Sequence, residues 1–170
     1  MRLLEFVSSD MLDRLLKGTS WDKNLKNPNA PTRSNNKPAA RPGKFTPSGK
    51  MIMPVNARIS SPFGWRTDVG RPHNHLGVDF ATPLGTPVKA PENAIVSSAG
   101  PNGGSAGVYV ILNANGVVHK FYHLSRINVK PGQTVKQGDI IAFTGSSGYS
   151  TGPHLHWEKH VAGKPVNPVA

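Results

Sequence analysis

The pattern of apolar and polar positions divides the chain into three stretches. From Met1 to Lys17 the apolar residues Leu4, Val7, Met11, Leu12 and Leu15 recur at helical spacing. This predicts a short amphipathic helix ending near Gly18. From Asn24 to Lys50 the periodicity vanishes: the stretch holds five prolines, five asparagines, six basic residues and no acid, and Phe45 is its one aromatic. Such a segment cannot bury enough apolar surface to offset its ordering entropy, which predicts a solvated, flexible linker. From Met51 onward, short runs rich in Val, Ile, Phe and Tyr alternate with turn residues, at 86–98, 107–112, 117–124 and 139–144. Asn115–Gly116 lies between the second and third runs and predicts a tight hairpin turn. No window after Lys17 has a sustained helical period. The expected organisation is a helical segment over 1–23, a linker over 24–50, and an all-β, mainly antiparallel domain over 51–170.

Composition narrows the picture. Gly (18) and Pro (16) together make a fifth of the 170 residues, which argues against a helical bundle. There is no cysteine, so disulfide scaffolds, thiolate zinc sites and cysteine nucleophiles are excluded. Apolar runs such as Val108 to Leu112 reach only about five residues, against the ~20 that a membrane-spanning helix needs. The net charge of +11 is shared along the chain: residues 1–50 carry 10 Lys/Arg and 4 Asp/Glu, and residues 51–170 carry 10 and 5. A chain so basic seeks anionic partners, whether nucleic acid, acidic membrane surfaces or the anionic polymers of a bacterial envelope. Glu5, Asp10 and Asp13 interrupt the region where a secretory signal needs an unbroken apolar centre, so no export signal is expected. The N-terminal helix is expected to pack on its own domain or on a partner, with peripheral membrane contact as the other use of its apolar face.

The candidate chemistry lies in the histidines, all seven of which follow residue 72. His75 and Asp79 are four residues apart, and His154 and His156 are two apart, so on extended strands each pair leaves one face. His123 is expected at the end of the strand leaving the Asn-Gly turn. Two imidazoles and a carboxylate make a three-ligand set that leaves one position of a tetrahedral zinc open. Two further imidazoles are then available for proton transfer. His73, His119 and His160 are expected to be solvated. Taken singly, His75 with Asp79 reads as a hydrogen-bonded turn and His-x-His as a strand edge. It is their co-occurrence in a chain with no cysteine and only nine acids that points to a metal site.

The words around these residues sharpen the reading. The chain carries Ile59-Ser-Ser-Pro-Phe-Gly-Trp-Arg66, His75-Leu-Gly-Val-Asp79-Phe-Ala and Gly85-Thr-Pro-Val88. It continues with Tyr122-His123-Leu-Ser125, Val129-x-Pro-Gly-Gln-x-Val135-x-x-Gly-Asp139 and Gly145-x-x-Gly148-x-Ser-Thr-Gly-Pro-His154-Leu-His156-Trp-Glu158. From about Ile59 to Pro168 this resembles the lysostaphin-type (LytM-like) zinc metallopeptidases, which cut the peptide part of bacterial peptidoglycan. The resemblance implies zinc, one ion per chain, on His75, Asp79 and His156, and catalytic roles for His123 and His154. The Gly-rich stretches 100–107 and 145–152 are themselves expected to be mobile loops flanking a narrow groove for an extended peptide, with Tyr149 as a candidate to line it. Glu158 is expected to be a structural partner of the site.

Other classes remain to be weighed. A non-catalytic relative that regulates other wall hydrolases would lack a ligand or a catalytic histidine, and all five residues are present. A non-haem iron oxygenase also uses two His and one carboxylate, but with His-x-Asp spacing in place of the His-x-x-x-Asp found here. A specific nucleic-acid binder is suggested by charge alone, and no basic-aromatic module or helix-turn-helix pattern supports it. The expected partners are peptidoglycan peptide and the anionic envelope surface, engaged by a monomer. Because the substrate lies outside the bacterial cytoplasm and no export signal is evident, the expected setting is a phage-encoded antimicrobial lysin. It would be made in the host cytoplasm and act on the wall after release, or act as a virion component.

Overall fold

The computed structural model describes residues 49–67, 72–102 and 104–170. The expected N-terminal helix, and all but the last two residues of the expected linker, lie outside these. The described part contains strands and turns and no helix, in agreement with the all-β reading. The strands are β1 (Ile59–Ser61), β2 (Gly64–Arg66), β3 (His73–His75), β4 (Val78–Ala81), β5 (Pro87–Lys89) and β6 (Ala94–Pro101). They continue with β7 (Val108–Ala114), β8 (Val117–Ile127), β9 (Thr134–Val135), β10 (Ile140–Thr144), β11 (His154–Val161) and β12 (Lys164–Val166). The main antiparallel sheet runs β1-β4-β11-β8-β7-β6-β9, with β10 bridging β5 and β8, and β12 on β11. Strands β2 and β3 form a separate hairpin.

Local sequence explains the main features. The β7–β8 hairpin closes at Asn115 and Gly116, whose φ angles of 51° and 89° are both positive, as a two-residue turn matched to strand twist requires. The run 86–98 spans parts of two strands: β5 and β6 flank a break around Pro91, a residue that cannot donate to a ladder. Alternation then builds the core. On β11 Leu155 and Trp157 are fully buried, and on β8 so are His119, Phe121 and Leu124. Trp157 lies parallel to Phe121, with centroids 6.5 Å apart and planes at 3°, and Phe80 and His119 pack around it.

The step from Phe121 to Leu124 is three residues, not two, so β8 changes parity there. Residues 117–122 pair with β11, whereas 124–127 pair with β10. His123 sits at this change with φ 60°, and the ladder to β7 also shifts register beside it. Such a bulge re-aims one side chain. His123 is therefore inside a long strand and not at its end, as the sequence reading had it.

Candidate metal centre

Sequence spacing suggested one strand carrying His75 and Asp79. The structure corrects this: His75 ends β3 in the small hairpin, and Asp79 lies in β4 of the main sheet. The link between them includes Gly77, where an added Cβ would come within 2.5 Å of the Trp157 carbonyl oxygen. Only glycine lets the chain cross so close to β11. The crossing brings His75 onto the register pair His156–Asp79 between β11 and β4.

Three donor atoms converge as a result. His156 Nδ1 is 2.7 Å from Asp79 Oδ1 and 3.1 Å from His75 Nε2, and His75 Nε2 is 3.2 Å from Asp79 Oδ1. Among the described residues this is the one group of three His or carboxylate donors gathered closely enough to hold a metal ion. Each donor is held from behind. The Nδ1–H of His75 donates to Pro62 O (2.7 Å), and the Nε2–H of His156 donates to Glu158 Oε1 (3.2 Å). Asp79 Oδ2 accepts from Arg66 Nη2 at 2.7 Å. Arg66 Nη2 also lies 2.5 Å from His75 Nδ1. Because a carbonyl can only accept and Arg66 already has Asp79, we assign the proton on Nδ1 to Pro62.

This arrangement fits a zinc ion. With their other nitrogens tied outward, His75 Nε2 and His156 Nδ1 face each other and the Asp79 carboxylate, a contact that needs a proton or a metal cation among the three atoms. Outer partners that fix the tautomer are the usual support of a metal-bound histidine. A tetrahedral ion with bonds of about 2.0–2.1 Å needs ligand atoms about 3.3 Å apart, close to the spacings found. The electrostatics agree. Burial alone would raise the Asp79 carboxyl, but hydrogen bonds and charge from His156 and His75 hold it well below the usual carboxylate range. Burial would lower His156, yet Asp79 and Glu158 raise it, so this pocket favours positive charge.

Two more imidazoles stand beside the triad. The His123 and His154 ring centroids are 4.7 Å apart, and His123 is 6.1 Å from His156. The Nδ1–H of His123 donates to Ser147 O (2.8 Å), and that of His154 donates to Gly152 O (2.8 Å). In the neutral form of either ring Nε2 is then the nitrogen that can take a proton. Burial depresses the pKa of His123, partly offset by its bond to Ser147, which keeps it neutral near pH 7. The Gly-rich stretch 145–152 thus supplies the two carbonyls that orient both rings.

The site lies in a groove. One half, about 500 Å³, is lined by Tyr122, His123, Tyr149, His156, Lys120 and Glu158, among others. The other half, about 340 Å³, is lined by Ser60, Ser61, Arg66, Asp79 and His154, among others. Tyr149 is 86% exposed at the rim, so the expected lining residue is in place. A larger apolar hollow of about 750 Å³, lined by Met53, Val55, Phe80 and Val169, has no histidine or carboxylate on its wall and no evident chemistry.

Some residues differ from the sequence reading. His119, expected to be solvated, is fully buried: its Nε2–H donates to Glu92 Oε1 (2.7 Å) and its Nδ1 accepts from Trp157 Nε1 (3.2 Å). His160 is bonded to Glu158 Oε2 at 2.6 Å. Sequence reasoning did not single out Arg66, Tyr122 or Lys120, although the first two lie in the quoted motifs. The sequence carries no signal for their partners.

An antiparallel β domain with a His–Asp–His cluster at the base of a groove, flanked by two oriented imidazoles, has the make-up of a metal-dependent hydrolase. Residues 73–168 match the model of peptidase family M23, and the chain belongs to that family. It is 44% identical over 118 residues to the DD-carboxypeptidase/endopeptidase Mpg of Neisseria meningitidis, which covers 68% of this chain and 27% of that protein. Among solved structures, a zinc-containing peptidase from Vibrio cholerae superposes with a TM-score of 0.63 at 38% identity, over 68% of this chain and 37% of that one. The catalytic domain of the antimicrobial peptidase lysostaphin from Staphylococcus simulans gives 0.54 at 31% identity, over 74% and 90%. The chain spans about a quarter of the length of the first curated relatives it matches.

Proposed function

We propose that this chain is a zinc-dependent endopeptidase that hydrolyses peptide cross-links or bridges of bacterial peptidoglycan, with zinc held by His75, Asp79 and His156. The observation that carries the reading is the division of labour among four imidazoles. Two turn one nitrogen toward a shared carboxylate with the other tied outward, and two stand beside them, each fixed through Nδ1–H to a backbone carbonyl. A zinc ion in the triad supplies Lewis acidity that polarises the scissile carbonyl and lowers the pKa of water.

The chain's own groups do the rest. His123 and His154, each fixed through Nδ1–H, take the proton released as water adds to the carbonyl and return it to the leaving amine. The amide C–N bond breaks to give a carboxylic acid and an amine, with no acyl-enzyme. Burial, with Glu158 and Tyr109 nearby, pushes the Tyr122 hydroxyl up to about 12, so Tyr122 keeps its proton and serves as a donor in the groove. Arg66 holds Asp79 in place through Oδ2, leaving Oδ1 to the cluster. The setting we propose is that of a phage lysin or virion component.

Metal content and wall hydrolysis test this reading together. One zinc per chain is expected, lost on chelation along with fragment release from purified walls and regained on adding zinc. Ala at His75, Asp79 or His156 should remove both metal and activity. Full hydrolysis by a metal-free preparation would overturn the reading.

A further inference from the structure

The bulge that aims His123 needs outside support. A non-glycine residue with φ 60° persists only where its surroundings over-determine it. At His123 those surroundings are the two Gly-rich stretches at the groove rim. The backbone N–H of His123 donates to Ala106 O at 3.0 Å. Beyond the bulge the ladder pairs Val108 of β7 with Leu124 of β8, and the Ser147 hydroxyl bridges that pair. It accepts from Val108 N at 2.9 Å and donates to Leu124 O at 2.8 Å. The carbonyl oxygen of the same residue receives the Nδ1–H of the His123 ring at 2.8 Å. Ser147 therefore holds the strand beside His123 with its side chain and the His123 ring with its backbone. The approach is close: a Cβ on Gly107 would lie 2.5 Å from Ser147 Oγ, so glycine is what admits the hydroxyl there. Tyr149 N, two residues on, donates to Ser105 O at 2.9 Å and closes the two stretches on each other.

Neighbouring serines do not combine these bonds. Ser150 Oγ donates to Gly152 O at 2.8 Å, within its own loop. Ser125 Oγ also bridges strands, donating to Thr144 O at 2.8 Å, but its bonds do not run to an imidazole. A neutral imidazole has two tautomers, and the partner of one nitrogen selects between them. A carbonyl can make that selection only if it is itself held still. We propose that Ser147 is a positioning residue for proton transfer by His123. Its hydroxyl, by tying Val108 to Leu124 across the bulge, immobilises the carbonyl that keeps the His123 ring in one tautomer and one orientation. Nε2 is then left for the protons of the reaction. This rests on the endopeptidase reading above, in which His123 moves a proton, and deepens it.

The test uses the zinc-loaded full chain and soluble cross-linked wall peptides. Ser147→Ala should keep stoichiometric zinc and lower kcat by between about ten- and a hundredfold, the scale for a misplaced catalytic group, with KM within about twofold. Ser147→Thr, which retains the hydroxyl, should recover kcat to within about threefold of the wild type. Ser125→Ala removes a strand-bridging hydroxyl of the same kind and should lower the unfolding midpoint without lowering kcat. In a His123→Ala chain, adding Ser147→Ala should cost no more than about twofold, because the ring it acts through is gone. Nitrogen NMR of the histidine side chains reads the position without turnover: one Nδ1–H tautomer of His123 in the wild type, a mixture in Ser147→Ala. Circular dichroism and zinc content identify a variant that has lost its fold, and Ser147→Cys, with its weak thiol donor, then replaces Ser147→Ala. Wild-type kcat, an unchanged tautomer, or an equal loss in the His123→Ala chain each overturns the proposal while leaving the hydrolase intact. If the wild type cuts neither these peptides nor purified walls, the endopeptidase reading fails, and the NMR spectra still decide whether Ser147 sets the His123 ring.

Discussion

The two sides of β8 and β11 share a backbone and a register yet are held in different ways. Beneath the strands, Phe121, Leu155 and Trp157 are fully buried, and their hold is contact area and close packing. On the groove side, His154, His156 and Glu158 depend on paired atoms, each with a hydrogen-bond partner that fixes its side chain. The difference teaches where each kind of damage should appear. A change below should cost stability and only then activity. A change above should cost activity or metal while the fold survives. His119 crosses the division, an imidazole within the apolar stack that has hydrogen-bond partners for both nitrogens.

The largest expected effect comes from below. Trp157→Ala removes the ring that Phe80, His119 and Phe121 pack against and should cost about 3–5 kcal/mol, read as a lower midpoint in denaturant unfolding. A loss under about 1 kcal/mol would show that the stack does not organise the sheet. Next come the histidines above. His123→Ala or His154→Ala should keep the unfolding midpoint and near-stoichiometric zinc while slowing wall hydrolysis by a factor on the order of 100 or more. Loss of metal in either variant would mean that the two pairs of imidazoles are wrongly divided.

The smallest effect concerns His119. Burial lowers its pKa from 6.5, with Glu92 offsetting part of the shift. In the window between that depressed value and 6.5, the unfolded chain binds a proton that the folded chain does not. Stability should therefore be complete above pH 6.5, fall as pH drops through the window, and level off below it. Subtracting the pH profile of His119→Gln from that of the wild type isolates this contribution. A difference that does not change with pH would place the titrating group elsewhere.

Much of this was legible in the sequence, for local reasons. His-x-His on a strand announces a shared face, and Asn-Gly between two apolar runs announces a hairpin, because each depends only on neighbours in the chain. The rest depended on residues far apart. His75 and Asp79 meet because the chain crosses tightly under β11 at Gly77, which spacing alone cannot reveal. His119 reads as a surface residue until Glu92, 27 positions earlier, is brought to its ring. The role of Arg66 becomes visible only once its carboxylate partner is in place. The β8 bulge leaves no mark in the alternation until one knows that Leu124, not His123, is buried.

That bulge has a consequence for how the domain can change over evolution or in the hands of an engineer. Because β8 answers to β11 on one side of His123 and to β10 on the other, its length is counted from both ends at once. Removing one residue between Val117 and Ile127 cannot be absorbed by sliding the strand, since either the His156–Tyr122 pairing or the Thr144–Leu124 pairing must give way. Loops at the groove rim are free to vary in length outside the residues that bond to β8, and so reshape the cleft, while this eleven-residue strand acts as the ruler against which they are set. Diversification of substrate choice in this scaffold should proceed by exchanging side chains on β8 and rebuilding rim loops, with the residue count of β8 unchanged.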